Sequence, residues 1–285
     1  FGCLPYLFGG TIPSIVDAIF ETMSGFTTTG SSVINNVEAL PHATLFWRSL
    51  TQWMGGMGII VLLLAIIPGL GIEGRDLFVA EVPGPTHDKF TATFKSTARR
   101  MWYLYISLTA AQAILLGNMD LFDAICHSFT TMATGGYSTK QASLAYWDSA
   151  YIQYVVIIFM FIAGTNFGLL YVMLHGKFRK LFHDEEFKLY LYITLGASAI
   201  IAIVLFLNGY ANLELSIRES IFQVVTILTT TGFATADYLL WPPLTSAIIF
   251  ALLFIGACAG STSGGLKCIR LNLLFKNSFI EMKRI

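Results

Sequence analysis

The sequence predicts an all-α integral membrane protein built from repeated units, and three observations lead to this fold class. First, 55% of the 285 residues are hydrophobic and only 12% are charged, with a mean hydropathy of +0.68. Soluble domains carry about 25% charged residues, which cover their surfaces. Second, five segments are long and apolar enough to be considered as membrane spans. Third, one segment recurs three times along the chain.

The five predicted spans set the order of the helices. About 20 apolar residues cross roughly 30 Å of hydrocarbon. The segments near this length are 43–67, 100–116, 150–174, 189–207 and 244–275. The segment 100–116 is short for a span, whereas 244–275 is overlong and is interrupted near its middle by a Gly- and Ser-rich run at 260–265.

The distribution of positive charge predicts the orientation of these spans. Of the 17 Lys and Arg residues, 14 lie in the three segments 68–100, 175–188 and 266–285. Positive residues are enriched in cytoplasmic loops, so we expect these segments on the cytoplasmic side. The segments 1–42, 117–149 and 208–243 are then expected on the external side.

The recurring segment begins with an acidic residue at Asp17, Asp123 and Glu219, so that its copies are offset by 106 and 96 residues. About ten amphipathic residues follow and predict a helix of roughly 15 Å, half the hydrocarbon core. An acidic residue is favourable at the N-terminus of such a helix. A Thr- and Gly-rich piece comes next, with glycine at one equivalent position: Gly30, Gly136 and Gly232. The unit is therefore a span, a half-span helix, a Thr-Gly turn and a second span.

The Thr-Gly turns predict a path for a monovalent cation. Non-helical backbone at membrane depth is tolerated only where protein buries it or where it lines a water or ion path. In such a path, carbonyl oxygens replace the hydration shell of the ion. The partly negative C-terminal end of each half-span helix favours a cation at the same place. The turns contain no carboxylate, and Ca²⁺ sites usually employ carboxylates.

With these turns the chain resembles the Trk-type potassium uptake proteins, within the wider group that holds KtrB and the plant HKT transporters. The resemblance rests on the motifs FTTTGSS, QWMGGMG, PGLG, ATGGYST, TTTGFAT and GSTSGG and extends over residues 13–276. It implies a pseudo-fourfold ring of four repeats, each made of a span, a pore helix, a filter loop and a span, around one K⁺ path. The filter residues that it implies are Thr28, Thr29, Gly30, Thr134, Gly135, Gly136, Thr230, Thr231 and Gly232.

The same resemblance implies the transported ion. In that group, Ser in place of the first filter Gly goes with Na⁺ transport, and this chain has Gly30. We therefore expect potassium uptake, with K⁺ as the transported ion and no catalytic cofactor.

The chain departs from the family pattern in extent. The first repeat lacks its leading span and no fourth Thr-Gly unit is present, so we expect residues beyond both ends to complete the ring. The predicted organisation is a pore helix, filter and second span of repeat 1 at 1–68, a cytoplasmic linker at 69–97, repeat 2 at 98–175, a second linker at 176–187, repeat 3 at 188–276 and a cytoplasmic tail at 277–285.

The run that interrupts the last span is the candidate gate. One interpretation is a flexible helix break packed against its neighbours. The other, which the resemblance favours, is a loop that lies under the filter and blocks conduction until it moves. Its residues are Gly260, Ser261, Thr262, Ser263, Gly264 and Gly265.

The partners that the resemblance implies are a second copy of the chain and a cytosolic nucleotide-binding regulatory ring (TrkA-like). The linkers 69–97 and 176–187 are the candidate contact surfaces. Membrane lipid is expected around the spans, and no nucleic acid is expected because the net charge is +0. The implied location is the inner membrane of a bacterium, crossed several times by the chain.

Other interpretations of the sequence remain open at this point. A secondary transporter that couples K⁺ to H⁺ or Na⁺ is the main alternative, although such carriers usually show ionisable residues at the membrane midplane. A membrane enzyme that uses His127 is less favoured, since no catalytic spacing supports it, and we expect that residue to be packed or hydrogen-bonded. Asn166 is expected either to line the cavity or to bond across helices.

Overall fold

The computed structural model describes residues 1–58, 94–210 and 212–284, and helices make up its regular structure apart from a single parallel bridge between Ile255 and Leu266. In these ranges the α-helices are α1 Leu4–Phe8, α2 Ile15–Phe26, α3 His42–Gly56, α4 Phe94–Leu115, α5 Leu121–Met132, α6 Ala150–Ala163, α7 Phe167–Leu174, α8 Phe178–His183, α9 Glu185–Leu207, α10 Leu213–Leu228, α11 Pro243–Leu252 and α12 Cys268–Arg284.

The bounds of the predicted spans agree with those of the helices to different extents. Among the described residues, α9 is by itself long and apolar enough to cross a membrane, and it contains the predicted span 189–207. Helix α4 covers the predicted span 100–116, and α3 covers the first part of 43–67. The rest of 43–67, most of the linker 69–97 and the PGLG motif lie outside the described residues.

The predicted span 150–174 is wrong as one continuous helix. Helices α6 and α7 are bent by 105° at a break between them. The break begins at Gly164, where a side chain would collide with Tyr190 and Thr229 of neighbouring elements. Asn166 then caps α7, because its side-chain oxygen accepts from the backbone N–H of Gly168 at 2.8 Å. An apolar run of suitable length therefore hides a polar capping residue that starts a new helix.

A glycine recurs along the chain at the repeat offsets of this break. Gly58, Gly164 and Gly260 are separated by the same 106 and 96 residues as the three acidic residues. Gly58 and Gly260 have φ angles of 74° and 70°, which glycine adopts readily. Gly58 and Gly164 closely follow the ends of α3 and α6, whereas α11 already ends at Leu252, before Gly260 is reached.

The half-span helices α5 and α10 are mostly buried, whereas α2 has one buried face and one exposed face. Helix α5 packs against α3, α4 and α6, and α10 packs against α6, α9 and α11, while α2 packs against α1 and α3. Side-chain oxygens cap their N-termini at Ser14, Asp120 and Asn212. The acidic residue lies in the first turn of α2 and α5, as expected, but α10 begins at Leu213, six residues before Glu219, because Asn212 provides an earlier cap.

Candidate cation path

The three half-span helices end in the same hydrogen-bonded turn. After α2, the N–H of Thr28 donates to Gly25 O and the N–H of Thr29 donates to Ser24 O, both at 3.0 Å. This pair of bonds defines a Schellman motif, in which the residue after the C-cap takes a left-handed conformation. The corresponding pairs of donors form the same bonds after α5 and α10, and these donors are Thr134, Gly135, Thr230 and Thr231.

Threonine stands at the left-handed position of each motif, where glycine is usual. The φ angles of Thr28, Thr134 and Thr230 are 54°, 52° and 55°. A β-branched residue with positive φ is a genuine outlier. Two residues further on, the equivalent glycines also have positive φ, with values of 80°, 76° and 83° for Gly30, Gly136 and Gly232. The first and the third predicted filter residue of each copy therefore have the same left-handed φ in all three copies.

Threonine hydroxyls support these turns. Thr134 Oγ1 donates to Ala133 O, and Thr230 Oγ1 donates to Thr229 O, both at 2.7 Å. Each hydroxyl satisfies the last carbonyl before the left-handed residue, which the helix itself leaves without a partner. The bonds replace some of the stability that the strained φ angle costs.

The turns of neighbouring units lie against one another. A Cβ placed on Gly30 would overlap the carbonyl oxygen of Gly135, and a Cβ on Gly136 would overlap the carbonyl oxygen of Thr231. At Gly232, the described residues place nothing within 4 Å of such an atom, and this glycine is exposed. Glycine is needed at the first two positions both for its positive φ and for the close approach of the next turn.

Gln52, the first residue of the QWMGGMG motif, to which the sequence analysis assigned no role, holds the second turn to α3. Its side-chain N–H donates to Gly135 O at 2.7 Å, and its side-chain oxygen accepts from the N–H of Tyr137 at 3.0 Å. Gln52 is fully buried. The sequence shows only a glutamine inside an apolar segment. The fold shows that its side chain bonds on both sides of Gly136 in the next repeat.

The fifth residue of each copy reaches the chain that leaves the turn. Glu21 accepts from Ser32 Oγ at 3.0 Å, and His127 Nε2 bonds with Ser138 Oγ at 2.9 Å. Both serines stand two residues after the filter glycine of their repeat. His127 also bonds to Asp123 O through Nδ1 at 2.8 Å, so the expectation of a hydrogen-bonded histidine is confirmed. The third copy has Gln223 and Ala234 at these positions.

The candidate gate residues 260–265 contact the end of α5 and the third turn. The N–H of Gly264 donates to Thr230 Oγ1 at 2.7 Å, and Thr262 Oγ1 donates to Met132 O, the last residue of α5, at 3.0 Å. The hydroxyl of Ser261 and that of Ser263 bond each other at 2.8 Å. The loop therefore contacts two of the three half-span helix ends.

The loop is hydrogen-bonded to the break between α6 and α7. Asn166 Nδ2 donates to Ala259 O at 2.8 Å, and the N–H of Phe167 donates to Gly260 O at 3.1 Å. Of the two roles open for Asn166, the structure shows the bond across elements. The N–H of Cys258 also donates to the carbonyl of Gly164 at 3.0 Å, which the kink leaves free of the helix.

Two charged side chains fix the ends of the loop. Glu186 accepts from the N–H of Ala259 at 2.7 Å and from the N–H of Ile269 at 3.1 Å, so one carboxylate oxygen holds both sides of the loop. Lys267 is only 4% exposed, and its ammonium donates to the carbonyl and hydroxyl oxygens of Ser263. Although Lys267 counts among the positive residues of the segment 266–285, the loop therefore folds back over it and buries its charge.

Comparison with known proteins places the chain among transporters. A family model described as "TrkH: Cation transport protein" matches residues 4–284. The chain is 44% identical over 290 residues to the Trk system potassium uptake protein TrkH of Escherichia coli K12, which aligns over 100% of this chain and 60% of the relative. It is 39% identical to the Trk system potassium uptake protein TrkG of the same organism, over 95% of this chain and 57% of the relative.

A solved structure has the same fold. The crystal structure of the potassium transporter TrkH from Vibrio parahaemolyticus matches with a TM-score of 0.85 and 38% sequence identity, over 99% of this chain and 59% of that chain. The chain thus spans about 60% of the length of the relatives that it matches. The family model covers nearly all of its residues, and the solved structure shares the helical architecture described above. The chain belongs to the TrkH family of cation transport proteins.

Proposed function

We propose that the chain supplies three units of a membrane pathway for potassium uptake, with the three Thr-Gly turns as its selectivity filter. The single observation that carries this proposal is the shared left-handed conformation of Thr28, Thr134 and Thr230 in turns that contact one another. The relatives are named potassium uptake proteins, which supports the same ion. The nine residues at 28–30, 134–136 and 230–232 are the proposed filter.

The chemistry of the turns favours an alkali cation. Each turn offers main-chain carbonyl oxygens and threonine hydroxyls and carries no carboxylate. Neutral carbonyl dipoles can replace the hydration shell of a monovalent cation without holding it too tightly to leave. The C-terminal ends of α2, α5 and α10 add partial negative charge in the same place.

A fourth unit is proposed to complete the path at Gly232. The first and second glycines each face a carbonyl of the following turn, whereas Gly232 is exposed among the described residues. A neighbouring turn from another segment would give Gly232 the environment that Gly30 and Gly136 have. The pseudo-fourfold ring is therefore supported by the unequal surroundings of three equivalent glycines.

The loop at 260–265 is proposed as the gate. It contacts the third turn through Gly264 and the end of α5 through Thr262, both in the region where the partly negative helix ends meet. Hydroxyl and N–H donors there occupy acceptors that would otherwise face the ion. Conduction then requires that the loop leave this position.

The assembly in which the path works is also a proposal. We expect a homodimer in the bacterial inner membrane and a cytosolic nucleotide-binding regulatory ring. The segment 176–187 is a candidate contact surface for that ring, because α8 within it is largely exposed and directly precedes Glu186, which holds both ends of the gate loop.

The test is uptake of labelled Rb⁺ by the complete protein in liposomes, with competition by K⁺ and Na⁺. We expect K⁺ to compete much better than Na⁺. Gly136→Ala should abolish this difference, because the added Cβ meets the Thr231 carbonyl oxygen and is strained at a φ of 76°. Gly196→Ala is the matched control, since Gly196 lies in α9 with open space within 4 Å of the position that a Cβ would take.

Three results would contradict the proposal. Absence of Rb⁺ uptake by the unaltered protein excludes the conduit. A preference for K⁺ over Na⁺ that is as strong in Gly136→Ala as in the unaltered protein excludes the turns as the filter. Uptake that collapses without a Na⁺ or pH gradient supports the coupled secondary transporter instead.

A further inference from the structure

We propose that the buried ion pair between Glu21 and Arg48 positions the first two filter turns relative to each other and thereby sets cation discrimination. The inference rests on the proposed function of the turns, but it concerns residues outside them. Arg48 Nε donates to Glu21 Oε1 at 2.8 Å, and the two side chains are 3% and 0% exposed. The pair lies between α2 and α3, in the first unit.

Glu21 holds the chain that leaves the first turn. Its Oε1 accepts from Ser32 Oγ at 3.0 Å, and its Oε2 accepts from the N–H of Val33 at 3.0 Å. These residues follow Gly30 by two and three positions. The carboxylate therefore fixes where the first turn points as the chain returns to the external side, and both of its oxygens are satisfied.

Arg48 extends this connection to the second unit. Its Nη2 donates to Ser32 Oγ at 3.2 Å and its Nη1 donates to Ser138 O at 3.4 Å. Its guanidinium lies over the ring of Tyr137, at 4.1 Å from the centroid. Tyr137 and Ser138 directly follow Gly136, so one side chain of α3 contacts the segments that leave both the first and the second turn.

Tyr137 closes the connection in the opposite direction. Its hydroxyl donates to Glu21 O at 3.1 Å and to Ser31 O at 3.2 Å. The second unit thus reaches back to the half-span helix and the turn of the first unit. The ion pair lies where these contacts cross, whereas Gln52, one helical turn away on α3, bonds directly to Gly135.

The equivalent position in the second unit lacks such a contact between units. His127 bonds with Ser138 and with the backbone of Asp123, both within its own unit. Only the first copy among the described three has a carboxylate at this position, and only there does an arginine extend the bond to a second unit. Charge-assisted hydrogen bonds are shorter and stronger than neutral ones, so this pair holds its partners more rigidly.

The physical reason for an effect on selectivity is the fixed spacing of the ligands. Gly30 lies against the carbonyl of Gly135, so a small shift of one unit changes the distance between carbonyl oxygens of both turns. Discrimination between ions of different radius depends on the number and placement of these oxygens. A broken pair leaves a charge buried and unpaired, and the segments that it held then relax.

The experiment compares Rb⁺ and Na⁺ uptake by the complete protein in liposomes for the unaltered protein and two variants. We expect Glu21→Gln to lower the Rb⁺/Na⁺ uptake ratio by about tenfold. The double variant Glu21→Gln with Arg48→Met removes both charges, and replacement of a buried pair by neutral groups is often tolerated in stability. We expect its thermal unfolding to approach that of the unaltered protein while its uptake ratio stays low.

Glu214→Gln is the control for loss of a carboxylate that pairs with a buried arginine. Glu214 bonds with Arg218 at 2.9 Å and with Tyr154 of α6 rather than with a turn, and its side chain is half exposed. We expect its uptake ratio to remain unchanged. If the unaltered protein is selective and the double variant regains that selectivity together with its stability, the pair is merely structural and the inference is overturned. If the unaltered protein takes up no Rb⁺, the proposed function itself fails.

Discussion

At the scale of single residues, the threonines with a left-handed backbone combine an unfavourable conformation with a favourable hydrogen bond. A Cβ in the left-handed region costs roughly 1–2 kcal/mol, and the usual solution at the end of a helix is glycine. Thr134 and Thr230 instead place a hydroxyl where it bonds to the preceding carbonyl. The proposed filter thus has a side chain with a hydroxyl group at a position where the backbone conformation alone would favour glycine.

The left-handed backbone predicts that the usual order of stability, in which alanine is favoured over glycine, is reversed at Thr134. Thr134→Gly should be about 1 kcal/mol more stable than Thr134→Ala, because both lose the hydroxyl but only glycine fits a φ of 52° without strain. Thermal unfolding in detergent is the measurement. At Thr130, inside α5, the order should be opposite by a similar amount of about 1 kcal/mol. The same order at both positions would contradict the strained conformation.

At the scale of elements, the first turn of α9 holds the loop 260–265, which is the proposed gate. Glu186 is only 7% exposed and accepts N–H bonds from both ends of the loop, whereas its neighbour Glu185 is exposed and bonds to Asn272 and Lys276 of α12. Two adjacent carboxylates therefore have different tasks: one fixes the loop and the other contacts the helix that follows it.

Glu186→Ala should loosen the loop. The N–H groups of Ala259 and Ile269 would lose their acceptor, and each unpaired buried donor costs about 1–3 kcal/mol. We expect faster hydrogen exchange at these two amides and increased basal Rb⁺ uptake in liposomes. Glu185→Gln serves as the control and should change neither quantity. Faster exchange without increased uptake would separate the loop from the gate.

At the scale of the whole molecule, glycines allow the units to approach one another closely. A Cβ on Gly55 would overlap the carbonyl oxygen of Phe26, and one on Gly56 would lie 2.6 Å from the Cα of Ala133. The first contact joins α3 to α2, and the second joins α3 to the end of α5. These two glycines therefore serve close helix packing.

Gly55→Ala should destabilise the whole arrangement by about 1–3 kcal/mol, because α3 must move away from the backbone of α2. Thermal unfolding in detergent measures this loss. Gly196→Ala, on the open side of α9, should be neutral or slightly stabilising since alanine favours a helix. An equal effect of the two substitutions would exclude the close approach as the cause.

Much of the helical content and the three matching turns can be predicted, because hydropathy and capping are local properties of the chain. The break at Gly164 is harder to predict, since the apolar and small residues around it resemble one span and Asn166 could line a cavity or bond across helices as well as cap one. The early start of α10 escapes an alignment of the repeats on Glu219, because its cap lies further back at Asn212.

The sequence by itself determined that three helices end in Thr-Gly turns, because a Schellman end and an amphipathic pattern depend on neighbouring residues alone. It placed the start of the third helix too late. Only the tertiary structure decided that Gln52 reaches Gly135, that Glu21 pairs with Arg48 and that Glu186 holds both ends of the loop. These contacts join residues 27 to 83 positions apart. The residues that form these contacts meet only when the helices pack, so no local sequence pattern predicts the contacts.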